Sequence, residues 1–183
     1  MPLNKFLFKL KSNRRKKIII IIMKKILYTI FFLSLAYSQQ GLNLSELESG
    51  NDGKLMYPYS GKTFEYWPNG DIKVRGRLRD GLRNGKWEYF HTNGSKMAVG
   101  KYYDGDGSDI DPETKIPRKG FAGNWTFYYK TGQQWKEGSW KDGTPTGEHV
   151  QWYPNGNTKT ILTYEYGELE GPITKLFEDG HVK

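Results

Sequence analysis

Along residues 61–183 the apolar positions do not follow a helical period. They come in short runs rich in Tyr, Trp, Phe and Val, cut repeatedly by glycine. Each run ends at an Asn-Gly or Asp-Gly pair or a near relative, among them Asn69-Gly70, Asp80-Gly81, Asn93-Gly94, Asp142-Gly143 and Asn155-Gly156. Short β-prone runs bounded in this way are the sequence form of β-hairpins. A type I′ turn needs positive φ at both central residues, and Asn-Gly supplies it at low cost. The pattern predicts a β-meander with little or no helix after residue 50, and one short helical turn around residues 42–47.

The hairpins are copies of one another. Gly61-Lys-Thr-Phe-Glu-Tyr-Trp-Pro-Asn-Gly70 recurs as Gly85-Lys-Trp-Glu-Tyr-Phe-His-Thr-Asn-Gly94 and as Gly123-Asn-Trp-Thr-Phe-Tyr-Tyr-Lys-Thr-Gly132. It continues as Gly147-Glu-His-Val-Gln-Trp-Tyr-Pro-Asn-Gly156 and Gly171-Pro-Ile-Thr-Lys-Leu-Phe-Glu-Asp-Gly180. The first glycines are 24, 38, 24 and 24 residues apart, so the second unit carries a 14-residue insertion within 106–122. In the second half of each unit, Gly76, Gly100 and Gly138 are followed by Leu78, Tyr102 and Trp140. The fourth copy departs with Leu162 and Tyr164.

Positions are counted from the first glycine. A two-residue loop then places the third position opposite the sixteenth, so Trp87 faces Gly100, Trp125 faces Gly138, Thr63 faces Gly76 and His149 faces Leu162. A large ring over a bare strand glycine stabilises a sheet. The sixth position (Tyr66, Phe90, Tyr128, Trp152) and the eighteenth (Leu78, Tyr102, Trp140, Tyr164) are expected to form the core column, with Trp87 and Trp125 beside it. Gly70, Gly94, Gly132, Gly156 and Gly180 are the turn glycines. Burying such a side chain contributes about 1.5–3 kcal/mol, whereas ordering backbone costs about 1–2 kcal/mol per residue, so one unit cannot stand alone. The expected fold is all-β: an elongated antiparallel meander of 24-residue hairpins, about four and a half units over 57–183. Residues 57–61 are expected to cap its start, and an unfinished edge its end.

Composition divides the chain near residue 38. Before that point there is no Gly, Asp, Glu or Trp. Lys24-Lys25, an apolar run from Ile26 to Leu35, and Ala36 and Ser38 spaced as a cleavage site read as a helical export signal. On this reading residues 1–38 are a leader with Met23 as its alternative start, and cleavage after Ser38 exposes Gln39. Residues 39–56 are a lead-in to the repeats. The run is about half of what a spanning helix needs, so no stable span is expected once the signal is removed. The expected location is periplasmic or secreted, in a bacterial envelope. The net charge of +8 follows the same division. Nine of the 28 Lys/Arg lie in the leader, leaving 19 basic against 20 acidic residues, so the charge argument for nucleic acid fails. With no cysteine there is no disulfide framework, thiol nucleophile or lipid-anchor cysteine.

The pattern Gly-x-Trp-x-x-Tyr/Phe-x-x-x-Gly, followed by Gly-x-Tyr/Trp-x-x-Gly, resembles the MORN-repeat superfamily. It is closest to the bacterial variant in the YwqK-type antitoxin family, and the lead-in from Asp52 to Gly61 looks like theirs. The resemblance covers roughly residues 50–183. It implies successive β-hairpins and a role in protein–protein contact; the family label adds neutralisation of a partner toxin as an alternative.

Candidate chemistry is sparse. His91 and His149 occupy repeat slots otherwise held by aromatic rings, and His181 is near the end of the chain, so no convergent acid, base and nucleophile is apparent. Asp104, Asp106, Asp109 and Asp111, with Glu113, gather hard oxygen ligands as a weak calcium candidate. Their spacing is not that of an EF-hand: Asp109 stands at the sixth loop position and Lys115 at the twelfth. No metal or cofactor is therefore expected. Trp67, Tyr129, Tyr153 and Phe177, at the seventh position, form a second aromatic column able to stack on sugar rings. The expected activity is non-catalytic protein binding, with a cell-wall or glycan-binding module as the alternative.

Overall fold

The computed structural model describes residues 41–47 and 59–183. The leader, its helix, the Met23 start and the cleavage point after Ser38 lie outside the described residues, as does most of the lead-in. Residues 42–183 form one unit. Its elements are β1 (Leu42–Asn43), α1 (Leu44–Leu47), β2 (Gly61–Tyr66), β3 (Ile72–Arg79), β4 (Leu82–Phe90) and β5 (Lys96–Gly105). They continue with β6 (Phe121–Tyr128), β7 (Gln134–Lys141), β8 (Thr144–Trp152), β9 (Thr158–Glu165), β10 (Glu168–Leu169) and β11 (Thr174–Lys175). The strands form an open, elongated 11-stranded sheet in sequence order, with β10 and β11 both pairing β9. Every pairing is antiparallel except β1 with β2, where Leu42 lies opposite Thr63. The start of the sheet is thus covered by β1 as well as by Tyr59, with Leu44 buried. Among the described residues no helix is long and apolar enough to cross a membrane.

The two turn signals have different geometries. Asp80-Gly81 is a two-residue loop with φ of 50° and 81°, and Arg79 pairs Leu82 across it, as a type I′ turn requires. Asp142-Gly143 and Tyr166-Gly167 repeat it. The Asn-Gly turns correct the type I′ expectation: only the glycine has positive φ, 78–92° over Gly70, Gly94, Gly132, Gly156 and Gly180. In the first, Trp67 N–H donates to the Asp71 carbonyl (2.8 Å) and Gly70 N–H to the Trp67 carbonyl (2.9 Å). This is a three-residue hairpin loop closed by a left-handed glycine. The asparagine works through its side chain instead, as where Asn69 Oδ1 accepts from Asp71 N–H.

Strand pairing and alternation decide which residues share the buried face. Thr63 pairs Gly76, Trp87 pairs Gly100, Trp125 pairs Gly138 and His149 pairs Leu162. After the fifth position each hairpin shifts register, so Tyr66 pairs Ile72 and Phe90 pairs Lys96. Side chains alternate along a strand, so the third and fifth positions share the face of the eighteenth, and the sixth points away. The core is accordingly built from Trp87, Trp125, Tyr89, Phe127, Val74, Ala98, Leu78 and Tyr102. The expected sixth-position column is corrected: Tyr66 is 45% exposed, and Phe90, Tyr128 and Trp152 are half-buried.

The ring-over-glycine contact is also displaced by one unit. A Cβ at Gly76 would enter the Trp87 ring, one at Gly100 the Trp125 ring, and one at Gly138 the His149 ring. Each ring therefore covers the glycine of the preceding hairpin and locks adjacent units together. Trp125 stacks on Phe121 at 3.7 Å and donates its indole N–H to the Lys101 carbonyl at 3.0 Å. Trp87 is as deeply buried, but its indole nitrogen has no hydrogen-bond partner.

The insertion, residues 106–120 between β5 and β6, folds back as a strap over this aromatic face. Asp111 Oδ1 accepts from the N–H groups of Glu113 (3.0 Å) and Thr114 (2.8 Å) and from the Thr114 hydroxyl (3.0 Å). The tight turn this creates places Ile116 at 1% and Thr114 at 5% exposure against the core. The Tyr102 hydroxyl donates to the Pro117 carbonyl at 2.5 Å and is 2.9 Å from the Tyr89 hydroxyl. Burial, reinforced by Tyr89, pushes the Tyr102 hydroxyl well above its ordinary pKa, so it remains a donor.

Candidate functional site

The strap leaves a cleft on each side. Toward the start of the sheet, a cavity of about 200 Å3 is lined by Leu44, Val74, Tyr89, Met97 and Ile116, with Glu65 and Lys73 at its polar margin. Toward the end, a cavity of about 160 Å3 lies among Phe127, Trp140, Leu162 and Tyr164, with Lys136, His149 and Gln151 as polar groups. His149 packs edge-on against Trp140 (4.5 Å) and Tyr164 (4.7 Å), and its Nε2 is 3.0 Å from the Ser139 carbonyl. Burial lowers its pKa from the ordinary 6.5, and Lys136 adds to the effect against the opposing backbone contacts. His91 lines neither of these clefts; its Nε2 is 3.0 Å from the Tyr128 carbonyl. His181 lies beside Asp179, exposed.

The seventh-position rings serve the array itself. Trp67 Nε1 donates to the Phe90 carbonyl (3.1 Å), Tyr129 Oη to Trp152 (2.8 Å) and Tyr153 Oη to Leu176 (2.9 Å). His91 makes the equivalent contact, so each of these four rings bonds the sixth-position carbonyl of the next hairpin. Asn69, Asn93 and Asn155 add parallel bonds to the carbonyls of Thr92, Lys130 and Glu178. Lys73 lies over the Trp67 ring and Lys159 over Tyr153. Trp67, Tyr129 and Tyr153 are half-buried, and Tyr129 has a raised pKa from burial and the nearby Glu113 and Glu178. Phe177 is 52% exposed, with Lys183 over its ring. The four residues expected as a sugar-stacking ladder therefore do not present free ring faces in series. A legible signal existed: three of them, and His91, carry a ring hydrogen-bonding group.

The acidic residues of the insertion are likewise occupied locally. Asp104 accepts from Arg79 (2.7 Å) and Asn84 (3.0 Å), Asp106 from the Ser108 backbone and hydroxyl, and Asp109 from Arg118 (2.9 Å). Burial alone would raise Asp111, but the Thr114 N–H, Lys136 and the Thr114 hydroxyl outweigh it and hold the carboxyl below its ordinary value. Among the described residues no three acidic or histidine side chains are grouped so as to hold a metal ion.

The last hairpin is different. β10 and β11 both pair β9, residues 181–183 fold back along β11 with Lys183 N–H donating to the Lys175 carbonyl (2.9 Å), and Leu169, Ile173, Phe177 and Val182 are 49–73% exposed there. Phe177 and Asp179 occupy the seventh and ninth positions, where earlier units carry hydrogen-bonding rings and asparagines; neither side chain can donate onward. The outer side of the short β10 therefore ends the sheet beside apolar side chains, while β11 is covered by the chain's own last residues. Set against known proteins, the chain matches no family model and no curated protein.

Proposed function

We propose that the chain is a non-catalytic, exported scaffold for protein binding, related in design to the MORN-variant repeats that its 24-residue unit resembles. The observation that carries this reading is the apolar patch of the last hairpin, where Leu169, Ile173, Phe177 and Val182 remain exposed beside the outer edge of β10. An exposed edge recruits an extended segment by main-chain hydrogen bonds, and apolar side chains beside it supply selectivity. Rigid stacking of the hairpins through ring-to-carbonyl bonds keeps such an edge preorganised, which lowers the ordering cost of binding. Neutralisation of a toxin is one form this role takes if the partner is itself exported.

The test is a pull-down from cell-envelope extract with residues 39–183, alongside an Ile173→Asp/Phe177→Asp variant. Recovery of a specific protein by the first and not by the second supports the reading. Equal recovery by both, or retention on peptidoglycan with no protein recovered, sinks it.

A further inference from the structure

Charge is graded along the repeats when both faces of the sheet and the strap are counted together. Residues 59–105 hold nine Lys/Arg and five Asp/Glu, whereas residues 106–183 hold nine and twelve. The imbalance is ordered by register. Lys62 lies directly opposite Arg77 on β2 and β3, and Lys86 directly opposite Lys101 on β4 and β5. These four exposed cations form a cationic row of two directly opposed pairs on one face, with a register shift between the pairs that sets Arg77 opposite Asn84. Along the same row the chain passes through Asn124, Ser139 and Thr146 to Glu148 and Glu170, and Glu165 faces Glu168 across the final turn.

Like charges placed directly opposite one another destabilise a sheet. Among the described residues Lys62, Arg77 and Lys101 have no ion-pair partner, nor do Glu148, Glu165, Glu168 and Glu170; only Lys86 is relieved, by Glu88 at 3.1 Å. Elsewhere on the sheet opposite charges are matched, as in Lys73 with Glu65 at 2.6 Å and Arg75 with Glu88 at 2.8 Å. The unmatched like-charge pairs thus lie toward the two ends of the sheet, with opposite sign.

We propose that the cationic row binds the acidic end of a second copy of this chain, formed by Glu165, Glu168 and Glu170 around the β9–β10 turn with Glu148 on β8. The two surfaces are complementary in charge, and each contains pairs that repel until the other sign arrives. Because they are different surfaces, the contact is heterologous and repeats from copy to copy, closing into a ring or growing as a chain. It does not depend on the apolar edge residues, so its failure leaves the proposed binding role standing, and the Ile173/Phe177 variant tests that role separately.

Two variants test it by sedimentation velocity. Arg77→Glu/Lys101→Glu converts both cationic pairs into opposite-charge pairs, and Glu168→Lys/Glu170→Lys converts the acidic pair Glu165–Glu168 and reverses a further charge beside it. The wild type is expected to associate at low salt and to dissociate as salt shortens the screening length from about 30 Å at 0.01 M toward about 3 Å at 1 M. Each variant alone is expected to weaken association by about tenfold or more without a lower melting temperature, and an equimolar mixture of the two to restore it. A wild type monomeric at low salt and high concentration would overturn the proposal. So would association indifferent to both variants, no restoration on mixing, or a monomer that takes up heparin through the same row.

Discussion

The hairpins of β2–β6 and those of β7–β11 are written in the same 24-residue unit, yet they are buried to different depths. Every large side chain in the core lies between Leu44 and Phe127, and after Phe127 only Gly138 is fully buried. In the second half Trp140, His149, Leu162 and Tyr164 occupy the same face and stay half-buried. What separates the halves is the strap, which places Thr114, Ile116 and Pro117 over the first and stops at the cleft bordering the second. A single sheet has two faces to cover, and the repeat by itself supplies only lateral neighbours. An irregular insertion supplies the second layer.

The largest expected effect is Trp125→Ala, which removes a fully buried ring stacked on Phe121 and covering Gly100. It should cost about 3–5 kcal/mol in urea denaturation, whereas Trp152→Ala, at a half-buried position, should cost less than half of that. Equal losses would erase the distinction between the halves. Next comes Tyr153→Phe, which deletes the hydroxyl that donates to the Leu176 carbonyl and should cost about 1 kcal/mol. An unchanged stability would deny the ring-to-carbonyl bonds a role in stacking.

The smallest effect concerns His149. Its folded pKa lies below the ordinary 6.5 because of burial, so the unfolded chain binds more protons there. Stability should therefore be full above pH 6.5 and decline as the pH falls through that value toward the lower folded pKa. His149→Trp, restoring the ring used in the preceding units, should flatten this decline in thermal melts taken from pH 7.5 downward. The same slope in both proteins would show that the decline comes from other groups.

Much of this architecture is legible in the chain. The pairing of Thr63, Trp87, Trp125 and His149 with Gly76, Gly100, Gly138 and Leu162 is legible because a two-residue loop and the observed three-residue loop with its register shift give the same register from the fifth position inward. The core column turns on parity: with the third position opposite the sixteenth, alternation puts the fifth and eighteenth on that face and the sixth on the other. Large rings occupy both faces, so residue type at the sixth position does not reveal which face is buried; the strap's cover decides that. The contact of Trp87 with Gly76, rather than with its partner Gly100, depends on how neighbouring hairpins slide past one another, and that is set by packing. The strap was hidden for a different reason: its charged residues dominate the segment, while the residues that bury, Thr114, Ile116 and Pro117, have no period. Ile116-Pro117 is the apolar signal within that acidic stretch.

The most direct test of the strap's role is amide hydrogen exchange, strand by strand, on the intact chain and on a variant lacking residues 106–119. That deletion restores 24-residue spacing between Gly85 and Gly123. The intact chain should show its strongest protection in β4–β6 and weaker protection in β8 and β9, and the deletion should bring β4–β6 down to the level of β8 and β9. Retention of full protection in β4–β6 after the deletion would contradict the account, because the aromatic face would then be stable without its cover.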